Sequence, residues 1–143
     1  MLELEENMGN VYAEITVKNS NDITKAREGN ILEKDVRTVT LTAVVDTGAT
    51  TLVINEDTCQ KLGLSIVEDR NINIAGGATM ACKVTEPVTI QWKDRQVAIN
   101  AVVLPEGKTL LGVIPLEFMD LIVDPVRREL IGAHGDQVVL MAL

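Results

Sequence analysis

At 143 residues the chain has room for one domain, residues 1–143, with a core large enough to need neither disulfides nor a structural metal. Its apolar residues are aliphatic, with Tyr12, Trp92 and Phe118 the only rings, which favours a sheet-rich core of Val, Ile and Leu. A formal charge of −8 argues against nucleic acid and anionic membrane surfaces as partners, since both call for clustered Lys and Arg.

The acidic start, "MLELEENMGN", has no basic segment leading into an apolar one, and no run approaches a membrane span, so a cytoplasmic protein is expected. Residues 1–10 read as a flexible extension, with Met8 an alternative start. "VYAEITVK" sets Val11, Ala13, Ile15 and Val17 against Tyr12, Glu14, Thr16 and Lys18, the period of a strand with one wet face. Asn19 to Asp35 is polar and without period, and reads as a long loop. Thr38 to Asp46 predicts a strand with Val39, Leu41, Ala43 and Val45 on one face and Asp46 on the threonine face.

"NEDTCQKLG" predicts a short helix capped by Asn55, with Glu56 and Asp57 at its positive end and Gly63 closing it. "RNINIAGGATMACKV" predicts a hairpin folded at Gly76-Gly77, a pair that tolerates positive φ. Pro87 reads as a break, after which "VTIQW" and "QVAINAVVL" flank "KDR" as a second hairpin. "TLLG" predicts a strand stopped by Gly112, then a short helix begun by Pro115 with Glu117 in its first turn. Strands at "RELIG" and "QVVLMAL" finish a mostly antiparallel β fold of about eight strands and two small helices. The final strand is either a dimer strand or an inner strand of the subunit. Cys59 and Cys82 have no metal-ligand spacing and read as reduced, buried thiols.

The chemistry concentrates at Asp46-Thr47-Gly48. A carboxylate at the end of an apolar strand is costly unless it is hydrogen-bonded or needed for chemistry. Gly48 lets backbone N–H groups turn toward the acid, and Thr47 offers a hydroxyl to tie the loop down. The tripeptide alone is also an ordinary turn. Its context is more specific: strand, DTG and strand, then a Gly-tipped hairpin, then strand, glycine and helix.

"VVDTGATTLVI" together with "LLGVIPLEFMDLIVDP" resembles the small retropepsin-like, retroviral-type aspartic proteases of bacteria and archaea, over most of Val36 to Pro125. The resemblance implies a mainly β, closed, barrel-like acid-protease fold with one or two short helices. It also implies an aspartic endopeptidase in which Asp46 is catalytic and Thr47, Gly48 and Ala49 form the active-site loop. Ile74, Ala75, Gly76, Gly77, Ala78 and Met80 would then form a substrate-covering flap, and Leu110, Leu111 and Gly112 the downstream support. No metal or cofactor is implied. Peptide hydrolysis by this chemistry needs two carboxylates sharing a proton, and the chain has one such motif, so a homodimer acting on a peptide or protein is expected. Mildly acidic activity follows.

The family's usual arginine shortly after the downstream glycine is missing: Gly112 is followed by Val113-Ile114-Pro115. That leaves room for an alternative from another class, a non-catalytic peptide-binding or assembly domain that keeps the fold. An ATPase phosphorylated on Asp46 is excluded, because the lysine of "DKTGT" and a nucleotide-binding domain are missing. His134 reads as a solvent-facing loop residue, and Asp120 and Asp124 as turn caps or partners of Arg127 and Arg128.

Overall fold

The computed structural model describes residues 10–73 and 75–139. Nine strands dominate them: β1 (Val11–Asn19), β2 (Thr38–Val45), β3 (Leu52–Asn55), β4 (Ile66–Asn73), β5 (Thr79–Trp92), β6 (Arg95–Leu104), β7 (Leu110–Leu111), β8 (Leu121–Asp124) and β9 (Glu129–Gly132). Three short helices join them, α1 (Ser20–Arg27), α2 (Glu56–Lys61) and α3 (Val113–Phe118).

Seven strands form one sheet in the order β1-β2-β7-β3-β6-β5-β4, and a further pairing of β1 with β5 closes six of them into a ring. The expected closed, mainly β architecture is therefore present. β4 hangs outside the ring, paired only to the first half of the 14-residue β5. β8 and β9 form a separate two-stranded sheet.

The alternation of β1 does what its period predicts: Val11, Ala13, Ile15 and Val17 are buried, and the last three join a core with Leu52, Ile54, Val88, Ile90, Ala101 and Leu111. Each Val, Leu or Ile side chain fully removed from water contributes roughly 1.5–3 kcal/mol. Cys59 and Cys82 are both free and buried, and loss of solvent raises both thiols above their ordinary range.

Several expectations need correction. The segment after Asn19 is not a structureless loop: α1 occupies Ser20–Arg27 and a 3-10 turn follows at Glu33–Asp35. Its stability comes from polar contacts rather than an apolar stripe. The Asn19 side chain caps it by accepting from the Asp22 amide at 3.1 Å, and buried Asp22 is gripped by Arg37 through Nε at 2.7 Å and Nη2 at 2.9 Å.

Pro87 does not break the strand. The ladder to β6 shifts register between Val84 and Pro87, which suits a residue with no N–H, and side chains satisfy the bulge. Asn100 Nδ2 donates to the Thr85 carbonyl at 2.7 Å, and the Ala101 amide donates to Thr85 Oγ1 at 3.1 Å.

The helix after Gly112 begins at Val113, two residues before Pro115, and β8 is an additional strand within the apolar run that follows it. His134 is exposed, as expected, but its Nδ1 lies 2.7 Å from Asp120 Oδ2, so among the described residues Asp120 pairs with His134 rather than with Arg127 or Arg128. Asp124 does cap its turn, accepting from the amides of Val126 and Arg127. The expected last strand is absent from its described part, where Gln137 makes only an isolated bridge to His134, and residues 140–143 lie outside the described residues.

Candidate active site

Asp46 stands where three strands meet. β7 lies between β2 and β3, parallel to the first (Val45 opposite Leu111) and antiparallel to the second (Leu52 opposite Leu111). β2 and β3 are thus held apart by the short strand that comes some sixty residues later, and the loop joining them, 46–51, is left at the end of the ring.

Backbone bonds lock that loop in place. The Asp46 amide donates to the Leu111 carbonyl at 3.0 Å, and the Ala49 amide to the Asp46 carbonyl at 3.1 Å. The Gly112 amide then reaches the Thr51 carbonyl at 3.0 Å, while Val113 and Ile114 donate to Ala49 and Thr50, each at 2.9 Å. Thr51 Oγ1 adds a bond to the Asn100 carbonyl at 2.9 Å.

Gly112 is required here by close approach rather than by backbone angle. A Cβ at this position would lie 2.5 Å from the Thr51 carbonyl oxygen and 2.6 Å from that of Ala49. Gly48 is freer, and its amide donates to Asp46 Oδ1 at 2.8 Å. This is the N–H turned toward the acid that the sequence predicts.

The carboxylate is half-buried, and Thr47 and Gly48 beside it are exposed. Asp46 Oδ2 accepts from no protein group among the described residues. Fixed through one oxygen and open at the other, the acid can still take a proton, a water or a second carboxylate. The Thr47 hydroxyl likewise bonds to no group of its own loop.

The downstream strand residues divide by depth: Leu111 is fully buried and Leu110 partly so. At the hairpin predicted as a flap, Gly76 and Gly77 adopt φ of 86° and 79°, with open space where a Cβ would be. They sit in a 3-10 turn, Ala75–Gly77, and Ala78 and Met80 after it are exposed. Ile74 lies outside the described residues. Almost every residue of β4 is exposed, so this hairpin stands away from the body of the ring. The sequence reading missed the carbonyls of Ala49, Thr50 and Thr51 as the receivers of the second strand, since backbone acceptors leave no mark in residue identity.

Residues 32–117, well over half of the chain and inclusive of both Asp46 and Gly112, match the protein-family model described as "gag-polyprotein putative aspartyl protease". The chain belongs to this retroviral-type aspartyl protease family. Within it, the match spans the Asp46 loop, the Gly-tipped hairpin and the strand-glycine-helix segment together. Among solved structures, the chain is similar to EIAV protease complexed with the inhibitor HBY-793. The two are 23% identical over 72% of this chain and 81% of that one, with a TM-score of 0.48. No curated protein matches the chain by sequence.

Proposed function

We propose that the chain is an aspartic endopeptidase that works as a two-fold homodimer, with Asp46 of each copy meeting at the axis. The observation that carries this reading is the state of Asp46. Its loop is held by five backbone bonds and its Oδ1 by the Gly48 amide, yet Oδ2 has no partner among the described residues and the loop is open to solvent. Held at the end of the ring by one oxygen, the carboxylate keeps the other for a ligand or for a second carboxylate.

A second copy supplies the missing group. Two carboxylates brought together share one proton, so one is a base and the other an acid at the same pH. A water between them gives its proton to the basic carboxylate as it attacks the scissile carbonyl. The acidic carboxylate protonates the carbonyl oxygen, giving a neutral gem-diol. Return of a proton to the amide nitrogen breaks the C–N bond and releases an acid and an amine. Thr47, exposed and unengaged in its own loop, would bond to the matching loop of the partner. Gly48 and Ala49 would frame the water.

The substrate would lie extended beneath the hairpin whose tip spans Ile74 to Met80, adding its backbone to the strand edges there. Opening of that hairpin would admit it. Exposed Met80 is the bulkiest described side chain near the tip and would cover the peptide.

The test is hydrolysis of a peptide library from about pH 4 to 7 by the protein and by Asp46→Asn, with mass followed by light scattering. Cleavage that disappears in a variant that stays dimeric supports the reading. A folded dimer that binds peptides without cutting them would make the chain a binding module instead.

A further inference from the structure

Arg95, at the start of β6, is the only buried Lys or Arg among the described residues, 5% exposed. A buried guanidinium ordinarily meets a carboxylate, yet this one makes no ion pair among the described residues. It donates to backbone carbonyls instead. Nη1 reaches Met119 at 2.9 Å and Asp120 at 2.8 Å, and Nη2 reaches Gly135. Met119 is the C-cap of α3, and Asp120, with φ of 55°, is the residue after it. The cation therefore sits at the negative end of that helix and satisfies carbonyls the helix cannot.

The other end of α3 is the active-site loop. Val113 and Ile114, its first residues, donate to Ala49 and Thr50, three and four positions after Asp46. With six residues α3 is only about 9 Å long, and Pro115, Leu116 and Met119 bury its inner face. A shift at one end of so short and well-anchored a helix reaches the other. The geometry points to Arg95 as a positioning residue for the Asp46 loop, acting through α3. This role rests on the peptidase reading above for its catalytic consequence, but not for its structural one.

The same guanidinium also holds Gly135, beside the segment where Asp120 Oδ2 pairs with His134 and accepts from the Val139 amide at 3.1 Å. A purely local clamp on that segment is thus the competing role, and the two differ in which amides loosen when Arg95 is changed.

The experiment is residue-resolved amide exchange on the full chain carrying Arg95→Met or Arg95→Lys, alongside kcat and KM on a peptide the unaltered protein cuts. Arg95→Met is expected to speed exchange at Val113 and Ile114 at least tenfold while the β1–β2 ladder is unchanged. kcat is expected to fall on the order of tenfold with KM within about twofold, and Arg95→Lys, which keeps the charge, to recover part of both. Faster exchange confined to Ala133 and Val139, with Val113 and Ile114 protected as before, would overturn the inference. If Arg95→Met does not fold, Arg95→Lys alone decides by the same amides. If the unaltered protein cuts no peptide, the exchange result still stands, and it is the peptidase reading that fails.

Discussion

Two aspartates, at opposite ends of the β1–β2 pair, are treated in opposite ways. Asp22 lies beside the Thr38 end, 3% exposed, and takes bonds from the Arg37 amide at 3.0 Å, Nε at 2.7 Å and Nη2 at 2.9 Å. Those bonds, chiefly the side-chain ones, hold its carboxyl below the usual range despite burial. Asp46 lies past the Val45 end, roughly 23 Å away along the strand, and takes one bond through one oxygen. The first acid is spent on structure. The second is fixed in position but keeps its capacity to bind, which is the condition a reactive group must meet.

The sharpest way to break the comparison is to neutralise each acid in turn. Asp46→Asn keeps an oxygen for the Gly48 amide, so stability should change by less than about 0.5 kcal/mol in chemical denaturation. Peptide cleavage should fall on the order of 10⁴-fold. A large loss of stability would mean that Asp46 is structural after all.

Gly112→Ala attacks the same site through its support. The added Cβ has no room between the Thr51 and Ala49 carbonyls, so a loss of about 2–3 kcal/mol is expected. Cleavage should drop further than the folded fraction does, as a mispositioned Asp46 requires.

Asp22→Asn should do the reverse, costing about 2 kcal/mol by denaturation while kcat on any cleaved peptide stays within about twofold. The sign of its pH dependence follows from the depressed carboxyl. The stabilisation is present above the unfolded value, about 3.9, and is lost as pH falls through the lower folded value. The pair therefore stays intact in the mildly acidic range, and the variant should show a flatter stability profile below about pH 4 than the unaltered protein.

The smallest effect belongs to Asn19→Ala. It removes the α1 cap and the 2.9 Å bond from Nδ2 to the Leu62 carbonyl, at about 1–2 kcal/mol, and should leave the amides of the Asp46 loop as protected as before.

The sequence was most legible where local chemistry decides the structure. The alternation of β1, the positive-φ pair Gly76-Gly77, the Asn55 cap and the turn after Asp46 can all be read from neighbours in the chain. It was least legible where distant residues decide. α1 carries a capping signal, Asn19 with Asp22 three residues on, but no apolar stripe, because the contact that anchors it joins Asp22 to Arg37 fifteen positions away. Pro87 reads as a break because the side chains that satisfy its bulge, Thr85 and Asn100, belong to a long-range register. β8 is hidden for another reason. Its four residues continue the apolar run of α3, and neither period has room to declare itself. At the site, Asp46 and Gly112 could be singled out, but not that β7 would slip between β2 and β3 to bring them together.

The most direct test of the shared-site claim is cleavage by mixtures of unaltered protein and Asp46→Asn, co-refolded at constant total concentration. If one carboxylate comes from each copy, activity should fall as the square of the unaltered fraction, to about a quarter in an equal mixture. A linear fall, to about a half, would show that each chain works alone and would contradict the account.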